Sequence, residues 1–309
     1  MSLETPSNTP SIALADAILA ISRGDFSHKV LVAFSDLDRE KSGQLRRAWP
    51  LIALENRTRL IRALDELAEE SVAYNFSRVY RIALEDDDPG VRQIAIPALW
   101  EEESSELLDF LFGMTDDPSQ DVRAEAMRAL GHFAVLAAGG ELEDETGERI
   151  FDSLLRMASS DEEPQLVRRY ALESLASFGG RKPIPDLIRS AYDDEDQSVR
   201  AGALFAMGRT LDPRWLNVLM SELTAEDPEL RYEAARACGE LGDNRAVEGL
   251  APLTADPDTE VRLAAITSLG KIASPGASRV LRRLAERASG DDLQAIEEAI
   301  EQTELLAGL

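Results

Sequence analysis

The sequence predicts an all-α fold, an α-α superhelix (solenoid) of antiparallel helix pairs with about 31 residues per repeat. Three observations predict it. A Val/Leu-Arg motif recurs six times at near-constant spacing, and each copy is followed by the same stripe of small and large apolar residues. Hydrophobic residues make up 44 % of the 309-residue chain but aromatics only 6 %, which suits a core of Ala, Leu, Val and Ile on closely packed helices better than an aromatic-rich sheet. A repeat array can use such a length as one quasi-one-dimensional unit.

The clearest copies are Asp88-Pro89-Gly90-Val91-Arg92 and Asp227-Pro228-Glu229-Leu230-Arg231; looser ones end in Val122-Arg123, Val167-Arg168, Val199-Arg200 and Val261-Arg262. The arginines are separated by 31, 45, 32, 31 and 31 residues, so one step carries about 14 extra residues. Four positions after the Val or Leu stands Ala in every copy (Ala95, Ala126, Ala171, Ala203, Ala234, Ala265). Seven after it stands Ala or Ser, and eight after it Leu, Met or Cys. Offsets of 0, 4, 7 and 8 share one side of an α-helix, and the small residues among them let a neighbouring helix approach. Nine positions on, four copies have glycine (Gly131, Gly208, Gly239, Gly270), read as the left-handed residue that stops a helix. The starts are marked by Asp88, Ser119, Asp196, Asp227 and Asp258 as N-caps, with Pro89 and Pro228 at the first helical position. The third copy has Pro164 in place of the cap. Second amphipathic helices are expected between the copies, over 107–114, 150–157, 187–192, 215–223 and 247–253.

These residues resemble HEAT repeats, of the HEAT/armadillo-like class, and in particular the compact bacterial phycobilisome-lyase-like type. Its signature is an acidic turn followed by Pro-x-Val-Arg-x-x-Ala-x-x-Ala-Leu-Gly. The resemblance covers residues 76–289, as six repeats with an acidic insertion near 137–149. It implies a structural ladder in which Arg92, Arg123, Arg168, Arg200, Arg231 and Arg262 pair with turn carboxylates. It also implies an alternative function, that of an accessory subunit of a modification enzyme, assisting in attaching a bilin with a paired subunit and a chromophore, or of another HEAT-type enzyme component.

Outside the repeats, residues 9–75 have helical periodicity without the signature, over 12–21, 28–34, 44–52 and 57–67, and are expected to form an atypical helical N-terminal cap. The last of these segments has the spacing of a degenerate repeat copy. A C-terminal capping helix is expected over 290–309, a disordered start over 1–8, and an acidic loop over 139–148.

With 33 Lys plus Arg against 58 Asp plus Glu, the formal charge is −25. That field repels a phosphate backbone, so nucleic acid is not an expected partner; it keeps an extended surface soluble and favours a basic protein or peptide. One cysteine, Cys238, allows no intrachain disulfide. The first residues lack a basic start and apolar run, and no stretch approaches the roughly 20 apolar residues that span a bilayer. A cytoplasmic location without membrane contact is therefore expected. Metal chemistry has little to build on: the His and Cys residues are His28, His132 and Cys238. In the HEAT-repeat enzyme deoxyhypusine hydroxylase, repeated His-Glu pairs bind two irons; here Lys29 and Phe133 follow the histidines. Cys238 occupies a large-core position and is expected to be buried and inert, and His132 to follow the helix end at Gly131. Gly139-Gly140 and Gly179-Gly180 lack the context of phosphate loops. The acidic turns lack an EF-hand pattern and are expected to line one edge as a ridge of caps and solvated carboxylates. No cofactor, no metal and no enzymatic activity are expected.

Positions two and six after the Val or Leu point away from the core stripe. They hold Gln93 and Pro97, Ala124 and Arg128, Arg169 and Glu173, Ala201 and Phe205, Tyr232 and Arg236, and Leu263 and Thr267. Phe205, Tyr232, Arg236 and Leu263, with Arg128 and Arg169, form the candidate protein-binding face. Trp49, Trp100 and Trp215 are expected in the packing. The expected function is that of a non-enzymatic scaffold holding a protein or peptide.

Overall fold

A computed structural model describes residues 12–307, which leaves the expected disordered start at 1–8 outside the described residues. Regular structure among the described residues is helical throughout, and the chain divides into two compact units, Met1–Ala129 and Leu130–Leu309.

The first unit contains α1 (Leu14–Ser22), α2 (His28–Val32), α3 (Arg39–Ala48), α4 (Leu54–Glu70), α5 (Ser77–Ala83), α6 (Pro89–Ala95), α7 (Ser105–Met114) and the start of α8 (Gln120–Ala138). Leu60, Ile61, Leu64 and Leu67 form the buried side of α4, which packs on α6. Before the first signature turn, the indole of Trp49 and the guanidinium of Arg57 each donate to Asp86 Oδ2 at 2.6 Å, while Asp86 Oδ1 accepts from the Asp88 amide at 2.8 Å. The first signature helix is cut short. It ends at Ala95 and a 3-10 turn, Pro97–Leu99, follows, because proline has no N–H to continue the helical ladder. Trp49 is buried as expected, but Trp100 lies beyond this break and is 69 % exposed.

The second unit contains the rest of α8, then α9 (Asp144–Ala158), α10 (Gln165–Leu175), α11 (Ile184–Tyr192), α12 (Gln197–Arg209), α13 (Leu216–Glu222), α14 (Pro228–Leu241), α15 (Val247–Leu253), α16 (Thr259–Ile272), α17 (Pro275–Ala285) and α18 (Gly290–Ala307). Each even-numbered helix from α10 packs on the helix before it and on the next even-numbered helix, whereas α11 and α13 scarcely meet. The signature helices are thus the tightly stacked inner layer of this unit. Asp196, Asp227 and Asp258 cap α12, α14 and α16 by accepting from amides of the first turn.

Two sequence expectations change here. The extra residues after the second copy do not form an acidic loop: α8 runs on to Ala138, α9 begins at Asp144, and only a turn remains, with Gly140 at φ 77°. Asp144 and Glu145 sit in the first turn of α9, where carboxylates suit the helix dipole. The buried side of that helix is Gly147, Ile150, Phe151, Leu154 and Met157. Nor do the signature glycines stop helices. Gly131, Gly208, Gly239 and Gly270 lie inside α8, α12, α14 and α16, so His132 is a mid-helix residue packed edge-on against Phe133. Left-handed backbone occurs instead at Leu211, Gly242 and Ala273. What glycine provides is proximity: a Cβ built on Gly208 would lie 2.6 Å from Ala237 Cα, and one on Gly239 would lie 2.8 Å from Ser268 Cα.

Candidate interaction face

The inner layer of the second unit brings together Phe205 of α12 with Tyr232 and Arg236 of α14. The Arg236 guanidinium carbon is 5.2 Å from the Phe205 ring centroid and 5.6 Å from that of Tyr232, an arrangement that fixes the side chain through cation–π attraction. All three are half-buried. Leu263, also half-buried, has the position on α16 that Tyr232 has on α14.

Beside them lies a charge cluster built from three helices. Arg169 of α10 donates from Nε to Glu173 Oε1 at 2.7 Å and from Nη1 to Ser198 Oγ at 2.6 Å, and Nη1 also reaches Glu229 Oε1 at 3.3 Å. It can cross the start of α12 because Gly202 leaves room: a Cβ there would lie 2.6 Å from Arg169 Cγ. Glu233 is 8 % exposed, and Arg236 Nη1 donates to its Oε2 at 3.2 Å. Burial pushes the Glu233 carboxyl up to about 7, with Arg236 and Arg169 opposing the shift and Glu173 and Glu229 adding to it.

Arg128 belongs to the first unit, where its Nε pairs with Glu125 Oε2 at 3.1 Å. Ala124 and Ala201 are buried, not outward-facing, because the close stacking of signature helices covers small side chains at this offset. Glu233 was not visible as a site residue. Its signal was a carboxylate at offset three, where the flanking copies have Gly202 and Ala264. Asn56 and not Val precedes Arg57, so the signature does not mark it.

The signature arginines bind turns in two ways. Arg92 donates through Nε and Nη2 to both oxygens of Asp117, at 2.9 and 2.8 Å, and through Nη1 to the Asp86 carbonyl at 2.7 Å. Arg231 repeats this with Asp256, at 2.8 and 2.9 Å, and with the Ala225 carbonyl at 2.9 Å. The carboxylate therefore comes from the following turn and the carbonyl from the preceding one. Arg123 and Arg262 donate to the carbonyls of Asp117 and Asp256, and Arg262 lies 3.4 Å from Asp292. Where the carboxylate position is occupied by Ala225, Arg200 turns to Glu222 at 3.3 Å, which also accepts from the Tyr192 hydroxyl. Arg168 reaches Asp161 at 3.9 Å.

Cys238 is fully buried, and burial pushes its thiol up to about 12. Among the described residues no group of three or more His, Cys, Asp or Glu has a metal-holding arrangement, and no helix is long and apolar enough to cross a membrane.

Stacked helix pairs joined by arginine contacts to successive turns define an α-solenoid repeat protein. The chain belongs to the HEAT-repeat family, whose model matches residues 77–144, 132–208 and 216–301. It is 29 % identical over 135 residues to the phycobilisome maturation protein of Synechococcus elongatus, covering 42 % of this chain and 56 % of that protein. It is also 29 % identical over 116 residues to deoxyhypusine hydroxylase of Drosophila pseudoobscura pseudoobscura, covering 37 % of this chain and 38 % of the hydroxylase. The matches thus span about half or less of these relatives. The complex of CpcE and CpcF of phycocyanin lyase from Nostoc shares the fold, with a TM-score of 0.53 and 19 % identity over 98 % of this chain and 99 % of that one.

Proposed function

We propose that the chain is a non-enzymatic cytoplasmic scaffold that holds a protein or peptide on the α12–α14–α16 face of its second unit. The observation that carries this reading is the half-exposed group of Phe205, Tyr232 and Arg236, with Leu263 one repeat further on. Aromatic residues and arginine are the side chains that dominate protein interfaces. Here stacking already restrains the arginine, which lowers the entropy lost on binding. Arg169 extends the face toward α10. The charge of −25 favours a partner of net positive charge. The signature arginines serve the stack and not the partner.

Affinity capture from the source organism tests the reading by comparing the wild type with a Phe205→Ala/Tyr232→Ala/Arg236→Glu variant of unchanged helical content. Partners retained by the wild type and lost by the variant are the expected result. An identical partner set would remove this face as the binding surface.

A second reading, a bilin-lyase-like accessory component of a modification enzyme, is favoured by the similarity to the phycobilisome maturation protein. Pigment absorbance in the captured complex would support it over the first.

A further inference from the structure

Arg92 and Arg231 each make a complete rung to the following turn, gripping Asp117 and Asp256 through Nε and Nη2. Each of these aspartates stands two residues before the N-cap position of the next signature helix and accepts that residue's amide, at 2.8 and 2.9 Å. Asp194 is placed in the same way, with its Oδ1 accepting from the Asp196 amide at 2.9 Å. The arginine in register with it is Arg168, yet the rung is not made. The Arg168 Nε is buried without a hydrogen-bond partner, and Nη1 lies 3.9 Å from Asp161 of the preceding turn, a carboxylate fully exposed to water.

Arg168 and Asp194 both line a cavity of about 80 Å³ between α10, α11 and α12, together with Gln165, Ser190, Leu172 and Val199. That is several times the roughly 10–15 Å³ that admits a single water. The Arg168 side chain is 33 % exposed, so the cavity is reached from solvent.

The polar groups of the cavity specify its guest. A buried guanidinium N–H without an acceptor is costly, and the Asp194 Oδ2 accepts from no described residue while Oδ1 is engaged. The guest must therefore accept at one point and donate at another. An anion satisfies Arg168 but meets Asp194 and Asp161; a cation satisfies Asp194 but meets Arg168. Arg169, which also lines the cavity, is already matched by Glu173 and Glu229 and does not tip the balance toward an anion. A primary carboxamide carries a carbonyl acceptor and an amino donor on one small, neutral, planar group, and satisfies both ends.

We propose that this open rung is a binding site for a primary carboxamide, its carbonyl oxygen accepting from Arg168 Nε and its amino group donating to Asp194 Oδ2. Among the signature arginines, which otherwise serve the stack, Arg168 is the exception. The amide belongs to a free small molecule or to an Asn or Gln side chain of a docked peptide, and the recognition chemistry is the same. The inference does not rest on the scaffold reading.

NMR of the arginine side-chain N–H groups of the purified chain tests it. The Nε–Hε resonance of Arg168 is the one that disappears in Arg168→Lys. The probes are propionamide, propionate and propylammonium, which are similar in size and differ in charge and in donors. Propionamide should shift that resonance with about millimolar affinity, as suits so small a ligand, and the two ions should bind at least about tenfold more weakly. Asp194→Asn keeps Oδ1 for the Asp196 amide but puts a donor in place of Oδ2 and removes the charge. It should reverse the preference toward propionate, a change that general destabilisation does not produce. An acetyl-Ala-Gln-Ala peptide with an N-methylamide end separates the sources: binding of the peptide as well as propionamide assigns a docked side chain, and binding of propionamide alone assigns a free amide. An ion bound as tightly as propionamide, no shift from propionamide, or an Asp194→Asn variant with the wild-type preference overturns the inference.

Discussion

A methyl group added to Gly208 would stand 2.6 Å from Cα and 2.7 Å from Cβ of Ala237. Real Cβ atoms do not approach backbone so closely, so the substitution requires α12 and α14 to move apart. The two helices meet at a glycine and an alanine because every larger pair holds them further away, and the inner-layer stacking depends on that closeness.

Gly208→Ala should therefore destabilise the second unit by about 1–3 kcal/mol, the usual cost of overpacking, despite alanine's higher helix propensity. Gly113, inside α7, has no atom within 4 Å of an added Cβ. Gly113→Ala should stabilise by roughly 0.5–1 kcal/mol through propensity alone. Denaturant unfolding of both variants checks the contrast, and equal effects would contradict the close-approach account.

The Arg231–Asp256 pair should govern part of the acid sensitivity. Both side chains are largely buried, at 13 % and 6 % exposure, and Arg231 holds the Asp256 carboxyl below its usual value. A lowered folded value means that the stabilisation is complete above the ordinary carboxylate range and is lost as pH falls through the lowered value. Asp256→Asn should cost roughly 3 kcal/mol at neutral pH, because it leaves a buried guanidinium without its counter-charge. The cost should shrink toward low pH in urea unfolding followed across the acid range.

Glu233 should act with the opposite sign. Its carboxyl is raised to about 7, above its unfolded value, so the folded state keeps the proton that the unfolded state has released. The associated stability is fully present below the unfolded carboxylate range and is lost as pH rises through about 7. Glu233→Gln should be near neutral in acid and stabilising above pH 7 by an amount on the order of 1–3 kcal/mol. A pH-independent difference between the two proteins would show that this carboxyl is not raised.

Cys238 should be silent toward thiol reagents. Its side chain is fully buried and its thiol raised to about 12, and the thiolate is the reactive form. Native protein should label no faster than it unfolds, and labelling should become immediate in denaturant. Rapid labelling of the folded chain would place the residue outside the core.

The helical repeat was legible because its determinants lie within a few residues of one another. Val199, Ala203, Ala206 and Met207 share a helix side by periodicity alone, and Asp196 caps the same helix from the neighbouring turn. Phe205, Tyr232 and Arg236 were legible as a group because constant offsets on stacked copies bring equivalent positions together. Glu233 was not: its burial depends on what α10 and α12 place against it. Trp100 was misjudged because the proline that ends its helix exposes it only after the chain has packed.

By itself, the sequence determined the all-α solenoid class, the N-caps, the order of most helix pairs and the inertness expected of Cys238, since helix periodicity and capping act over one or two turns. Tertiary structure alone decided that the signature glycines serve contact and not termination, and that the acidic insertion lengthens two helices. It also decided that Asp117 and Asp256 are reached by arginines of the preceding repeat, and that Arg236 lies between two rings. The glycine and arginine contacts depend on the distance between residues about a repeat apart, which between α12 and α14 is set by the approach of Gly208 to Ala237.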